Sequence, residues 1–206
     1  MTTITTPSLH HVTLKTTRLQ EMQTFYETTL GMEVIHSGPY GAWLSNDGAN
    51  HRLALLIAPR LDEDADKLSH AGLHHTAYEY ASIDDLLATY TRLKGEGIVP
   101  HACLDHGMTM SFYYVDPDGN SLELQFDEFG DWAHSKEFMR TEPFAANPIG
   151  VSVDPDLIVA ARARRAAVKS IHARAYAGEF TPDAPLDLRL LPRDPRHPSS
   201  AARGRL

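Results

Sequence analysis

The sequence predicts an α+β fold built from two copies of one βαβββ module. Three observations indicate this fold: an internal repeat, a strand–helix–strand pattern in each copy, and turn sequences between the later strands. The repeat aligns LHHVTLKTTRLQEMQTFYETTLGMEVI, starting at Leu9, with LHHTAYEYASIDDLLATYTRLKGEGIV, starting at Leu73, without a gap. Two such modules side by side would curl round a central cleft, because each sheet has one face that its own helix leaves uncovered.

Each copy has the same predicted order of elements. The first strand alternates apolar residues over Leu9–Leu14 and Leu73–Tyr78. The helix has apolar residues at helical spacing, namely Leu19, Met22, Phe25, Tyr26 and Leu30 in one copy and Ile83, Leu86, Leu87, Tyr90 and Leu93 in the other. Gly31 and Gly95 stand where a helix C-terminus favours glycine. The later strands are predicted at Glu33–His36, Ala42–Ser45, Arg52–Ile57, Gly97–Pro100, Met108–Val115 and Ser121–Phe126.

The repeat divides the chain into a domain and an extension. Module one is predicted at residues 8–59 and module two at 72–127, within a domain of residues 1–135. Residues 127–147 are expected to be rich in loops. Residues 136–206 form a C-terminal extension with one helix at about 156–177, started by Asp154-Pro155, and a flexible tail rich in Pro, Arg and Asp.

Charge and composition narrow the possible partners. The net charge of −8 argues against nucleic-acid binding. From residue 160 onward ten Lys/Arg stand against four Asp/Glu, a net of +6, which leaves −14 for residues 1–159. We expect this basic part to lie against acidic surface of its own or a neighbouring subunit, and we expect a homo-oligomer. The chain has no apolar run long enough for a membrane span and no signal-like N-terminus, and its single cysteine, Cys103, fits a reducing cytoplasm.

Two histidines and one carboxylate are the candidate metal ligands. His11 and His75 hold equivalent positions at the start of equivalent strands, so a pseudo-twofold axis would make them face each other across the cleft. Glu123 alternates with Leu122 and Leu124 and therefore points away from the leucines, and a carboxylate aimed into a cavity needs a partner. The matching position in module one is Ala54, which cannot bind a metal. Two histidines, one carboxylate and open positions are typical of non-haem iron(II) oxygen chemistry.

Other interpretations of these residues stay open. A histidine that opens a strand is more often a packing or surface residue than a ligand, and duplication alone would give both copies one. His10 and His74 are duplicated as well and are expected to point to the other face of their strands. Glu123 would face solvent if its strand lay at the edge of the sheet.

Several motifs resemble the vicinal oxygen chelate superfamily and, within it, the type I extradiol dioxygenases. They are LHHVTL with FYETTLGMEV downstream, GLHHTAYEY, and SFYYVDPDGNSLELQ, and the likeness covers residues 8 to about 135. The resemblance implies a U-shaped barrel around iron(II), with manganese(II) the weaker alternative, held by His11, His75 and Glu123. It also implies a small aromatic diol as substrate, with O₂ as the second reactant.

The same resemblance implies roles for three further residues. The segment 50–54 resembles the one that bears the acid–base histidine of the family, which corresponds to His51. The segment 111–113 resembles the one that bears the active-site tyrosine, which corresponds to Tyr113, and His106 lies near a further polar residue of the family site. This chain has one pair of modules where the common members have two, so the substrate preference is not carried over.

Three rival functions share the fold. Glyoxalases and epimerases use a fourth ligand, at the position where this chain has Ala54. A manganese thiol transferase that opens an epoxide antibiotic would need a basic pocket, and we see no cluster of Lys and Arg beside the candidate ligands. A bleomycin-type protein binds its drug without catalysis and needs no metal triad.

Overall fold

The computed structural model describes residues 4–58, 61, 62, 67 and 71–183. The flexible tail that the sequence predicts, and most of the polar linker at residues 60–71, lie outside the described residues. The chain forms two compact units, one of residues 1–65 with the turn 116–120, the other of residues 66–115 and 121–206. Every helix in the described part of the chain is too short or too polar to cross a lipid bilayer.

The first unit contains a four-stranded mixed sheet and one helix. Its elements follow the predicted βαβββ order: β1 (Val12–Thr16), α1 (Leu19–Leu30), β2 (Glu33–Gly38), β3 (Gly41–Ser45) and β4 (Leu53–Ile57). The strand order is β1-β4-β3-β2, with β1 parallel to β4 and the other pairs antiparallel. The helix buries Met22, Phe25 and Tyr26, as its periodicity predicts, and Gly31 ends it in the left-handed conformation.

The second unit repeats this arrangement and adds to it. Its module consists of β5 (His75–Tyr80), α2 (Ile83–Gly95), β6 (Ala102–Asp105), β7 (Thr109–Val115) and β8 (Ser121–Asp127). The sheet order is β5-β8-β7-β6-β9, where β9 comes from the extension. All five predicted apolar positions of α2 are buried, and the Ser82 hydroxyl caps the helix by accepting a hydrogen bond from the Asp85 N–H. The α+β class and the duplicated module are therefore confirmed.

Two local predictions in module two are wrong. Gly97–Pro100 is not a strand, and β6 begins at Ala102 instead, because the chain needs Gly97 in the left-handed conformation to leave the helix. Gly95 is the last helical residue and not the stop signal, since the helix continues to its C-cap at Glu96.

The chain beyond β8 is more ordered than the sequence suggested. The segment expected to be loop-rich contains α3 (Trp132–Phe138) and α4 (Glu142–Ala146), and β9 (Val151–Ser152) follows. The single helix predicted at about 156–177 is two helices, α5 (Pro155–Ala163) and α6 (Val168–Tyr176). Arg165 between them has a φ of 64°, which a continuous helix does not allow. The domain boundary at 135/136 stays a prediction.

The extension is held on its own module by complementary charges. Arg162 of α5 forms a bidentate ion pair with Asp84 of α2, with an Nε–Oδ1 distance of 2.8 Å. Asp156, in the first turn of α5, pairs with Lys94 and accepts a hydrogen bond from the Tyr90 hydroxyl at 2.9 Å. Hydrogen bonds from Arg162 and Lys94 respectively lower the pKa of Asp84 and of Asp156.

These pairs predict a specific loss of stability in acid. The free energy that they contribute is present above the ordinary aspartate pKa of 3.8 and is lost as the pH falls through the lower pKa of the folded state. Near neutral pH the melting temperature of the wild type should therefore exceed that of a D84N/D156N variant. The difference should be no more than about 2–4 °C, because the pairs are exposed. Thermal unfolding between pH 2 and 7 should show this gap closing in acid. A difference in melting temperature that widens in acid would contradict the assignment of these ion pairs. The control is E27Q, which removes the exposed carboxylate of Glu27 in α1.

Candidate metal centre

Strand alternation places Glu123 beside His75 in the second unit. Leu122 and Leu124 of β8 are completely buried in the core, so Glu123 between them faces the other side of the sheet. Glu123 as a residue is 5% exposed, and its Oε2 lies 2.9 Å from Nε2 of His75, the first residue of β5. A buried carboxylate facing an imidazole nitrogen at this distance is a donor pair that a divalent cation can bind.

The register of the two sheets explains why module one lacks a carboxylate. Ala77 pairs with Glu123 across β5 and β8, and Thr13 pairs with Ala54 across β1 and β4. Thr13 and Ala77 are equivalent in the repeat, so Ala54 occupies the position of Glu123. Of these two equivalent positions, the second module therefore offers a carboxylate and the first a methyl group.

Tyr113 and His106 extend the Glu123 site into a chain of hydrogen bonds. The Tyr113 hydroxyl donates to Glu123 Oε1 at 3.0 Å and lies 2.9 Å from His106 Nε2. His106 Nδ1 lies 2.7 Å from the carbonyl oxygen of Ile149, which precedes β9. A carbonyl only accepts, so Nδ1 carries a proton, and Nε2 of the neutral ring is left as a second acceptor for the Tyr113 hydroxyl.

Burial and hydrogen bonds together determine the protonation states of the hydrogen-bonded side chains Tyr113, His106 and Glu123. Burial, reinforced by the charge of Glu123, raises the pKa of Tyr113 well above its ordinary value, so the phenol keeps its proton. Burial lowers the pKa of His106, which favours the neutral ring. Burial works to raise the pKa of Glu123, but hydrogen bonds with His75 and Ser111 hold it below its ordinary value. The result is one hydroxyl donor beside an ionised carboxylate.

In the first unit three imidazoles lie together. His11 and His51 have ring centroids 4.3 Å apart, and His10, His11 and His51 each offer one nitrogen within 4.8 Å of the others. Burial, followed by the charges of His11 and His10, lowers the pKa of His51, which favours a neutral ring able to accept a proton. Arg52 supports the cluster by donating to the His10 carbonyl at 2.9 Å while it pairs with Asp47.

His10 and His74 have a position that the sequence did not predict. Each was expected on the opposite face from its neighbour, yet Nδ1 of His10 lies 3.1 Å from Nδ1 of His11, and the same atoms of His74 and His75 are 2.7 Å apart. The reason is that His10 and His74 precede their strands, which begin at Val12 and His75, so strand alternation does not fix the direction of these two side chains. For His75 the contact leaves Nε2 facing Glu123, which is how an outer hydrogen bond commonly orients a histidine ligand.

A surface depression of about 500 Å³ lies at the ends of β5 and β8. Its lining includes Glu79, Asp127 and Trp132, and the Trp132 indole donates to Glu79 at 2.9 Å. The candidate ligands His75 and Glu123 are not among the residues that line it. The depression is therefore separate from these two candidate ligands.

The chain belongs to the glyoxalase/bleomycin resistance protein/dioxygenase superfamily, whose family model matches residues 8–124. It is 41% identical over 180 residues to biphenyl-2,3-diol 1,2-dioxygenase 2 of Rhodococcus globerulus, covering 87% of this chain and 94% of that protein. It is 36% identical to biphenyl-2,3-diol 1,2-dioxygenase 3 of the same organism, covering 84% and 90%. Since the two modules are shorter than 180 residues, the first similarity continues into the extension.

Solved structures are more distant. A glyoxalase/bleomycin resistance protein/dioxygenase from Nocardioides is 23% identical, with a TM-score of 0.48, over 61% of this chain and 86% of the other. A glyoxalase/dioxygenase from Nostoc punctiforme is 20% identical, with a TM-score of 0.48, over 62% and 98%.

A substitution tests whether Glu123 holds a metal. E123Q keeps the shape and removes the charge, so we expect iron(II) retained after anaerobic loading and gel filtration to fall more than about tenfold. E79Q, on the same sheet face, is the matched control and should retain as much iron as the wild type. Equal iron content in E123Q and the wild type, measured by atomic emission, would remove Glu123 from the ligand set.

Proposed function

We propose that this protein is an iron(II)-dependent extradiol dioxygenase that opens the ring of an aromatic vicinal diol beside its two hydroxyl groups, incorporating both atoms of O₂. The observation that carries the proposal is the buried Glu123 carboxylate facing His75 Nε2, with the Tyr113 hydroxyl on its other oxygen. The two Rhodococcus relatives, named for biphenyl-2,3-diol, support a substrate of this class.

The donor chemistry fits iron(II). We take His75 and Glu123 as two ligands and His11 as the third, because His11 holds in the first module the position that His75 holds in the second. Two imidazoles and one carboxylate are a donor set that suits iron(II) with open positions, and manganese(II) is the weaker alternative. Held by these residues, the metal would supply a Lewis acid that lowers the pKa of the diol hydroxyls and makes O₂ reactive.

The protein's own residues then have separate duties. His51 accepts a proton from a substrate hydroxyl and returns it later, a role suited to an imidazole because its ordinary pKa lies near neutrality. Tyr113 keeps its proton and donates a hydrogen bond to a substrate oxygen in exchange for its present contact with Glu123. His106 fixes the direction of the phenol while Ile149 holds the other nitrogen of its ring.

Ala54 distinguishes this proposal from its rivals. A glyoxalase or epimerase with this fold would place a fourth ligand at that position, and alanine offers none. The basic pocket of a thiol transferase has no counterpart among the residues proposed to hold the metal. A non-catalytic binding protein does not require a buried carboxylate that contacts an imidazole and a phenol.

The working enzyme is proposed to act in the reducing cytoplasm. Cys103 is a buried free thiol, and an iron(II) site is best kept reduced in such a compartment. A homo-oligomer remains part of the proposal, although the ion pairs of Arg162 and Lys94 fall within one chain.

The central test is oxygen consumption. The protein is loaded with iron(II) without air, freed of excess metal and mixed with catechol or 2,3-dihydroxybiphenyl in an oxygen electrode. We expect one O₂ consumed for each diol and a yellow ring-opened product, with E123Q inactive. Bound iron with no O₂ uptake across a diol panel would favour a glyoxalase or epimerase, and failure to bind iron would favour a binding protein.

The role of His51 has its own prediction. H51A should lower turnover by about 10²–10⁴, because a positioned acid–base group contributes that much, while the iron content stays unchanged. H134A, an exposed histidine of α3, is the control and should keep wild-type turnover. Wild-type turnover in H51A would exclude His51 from the proton transfers.

A further inference from the structure

A second group of ligand-type side chains lies on the other face of the second sheet. Asp105 ends β6, Glu128 follows β8, and His172 lies in α6. Asp105 pairs with Met110, and Met110 with Phe126, so these residues share the face that packs on the helices. Glu123 and Tyr113 point to the opposite face, which makes this group separate from the candidate metal centre.

The three side chains converge closely. One ligand atom from each lies within 4.8 Å of the others. Asp105 is completely buried, and its Oδ2 lies 2.8 Å from His172 Nδ1. The His172 side chain is 34% exposed, so an ion from solvent has access to the group.

The group contains one oxygen without a partner. The hydrogen bond to Asp105 raises the pKa of His172, so Asp105 is already balanced and Glu128 is the side chain in question. Oε1 of Glu128 is buried and has no hydrogen-bond partner in the described part of the chain. Burial, with the nearby charge of Asp105, raises the pKa of Glu128 to about 8. A buried and a half-buried carboxyl group beside one imidazole are stabilised when a cation lies between them, and a buried carboxyl oxygen without a partner is costly.

We propose that Asp105, Glu128 and His172 form a second divalent-cation site, for a metal of the zinc or manganese class. Two carboxylate oxygens and one imidazole nitrogen form a mixed donor set, which suits zinc(II) or manganese(II) better than calcium or magnesium, which prefer oxygen alone. A dication displaces the proton of Glu128 to solvent and then neutralises the two carboxylates.

The site joins distant parts of the chain. Its ligands come from β6, the end of β8 and the extension helix α6, so a bound ion cross-links the extension to the module. It also steadies the turn after β6, where the Gly107 N–H donates to Asp105 Oδ1 at 2.8 Å. Gly150 packs so closely there that a Cβ on it would lie 1.9 Å from the Asp105 carbonyl oxygen.

Zinc binding to the whole chain tests the proposal. The background variant H75A/E123Q weakens the candidate metal centre, and equilibrium dialysis then counts zinc per chain. Adding E128Q, or separately H172N, should remove one zinc equivalent and abolish the rise in melting temperature on adding zinc. H134N, an exposed histidine in the same unit, is the control and should leave both unchanged.

A crystal soaked in zinc chloride locates the ion directly. Anomalous difference maps on both sides of the zinc absorption edge should show a peak among Asp105, Glu128 and His172. An absent peak, or an unchanged zinc count in both folded variants, overturns the proposal and leaves a hydrogen-bonded trio. The result is independent of the dioxygenase assay, because neither readout requires turnover.

Discussion

The Glu123 carboxylate is the constraint on which the candidate active site depends. It is withdrawn from water by a strand whose alternate residues build the core, so it must be balanced by its neighbours. His75, Tyr113 and Ser111 do this in three ways: an imidazole that faces it, a phenol that keeps its proton, and a hydroxyl that helps hold it ionised. Because the buried carboxylate is already ionised beside an imidazole, it can bind a cation without first being rearranged.

Duplication followed by divergence explains the asymmetry of the two modules. The histidine doublet is present in both copies, whereas the carboxylate is present only in the second, and sheet register gives Ala54 the equivalent position in the first. The first module has His51 near its own doublet instead. The second copy thus presents a buried carboxylate beside an imidazole and a phenol, and the first copy presents three imidazoles.

Much of this could be predicted from the sequence, because periodicity and repetition report on what is buried. The helix faces of α1 and α2 and the orientation of Glu123 all follow from spacing alone. The break at Arg165 and the start of β6 could not be predicted, since they depend on single backbone torsions. The Asp105–Glu128–His172 group was missed because its members stand far apart in the chain and share no motif, so only folding brings them together. His11 as a partner of His75 and Glu123 stays a prediction.

The two-residue strand β9 has a consequence for how the chain can be shortened. Val151 and Ser152 pair with β6 and satisfy backbone hydrogen-bonding groups of that strand. Without β9 these groups could pair with a strand of another molecule. A protein trimmed to its two modules would present β6 to its neighbours in solution, and strands so presented recruit one another into aggregates. The extension therefore protects the protein from aggregation by covering the edge of β6. A shortened version of this fold would need another segment to cover that edge.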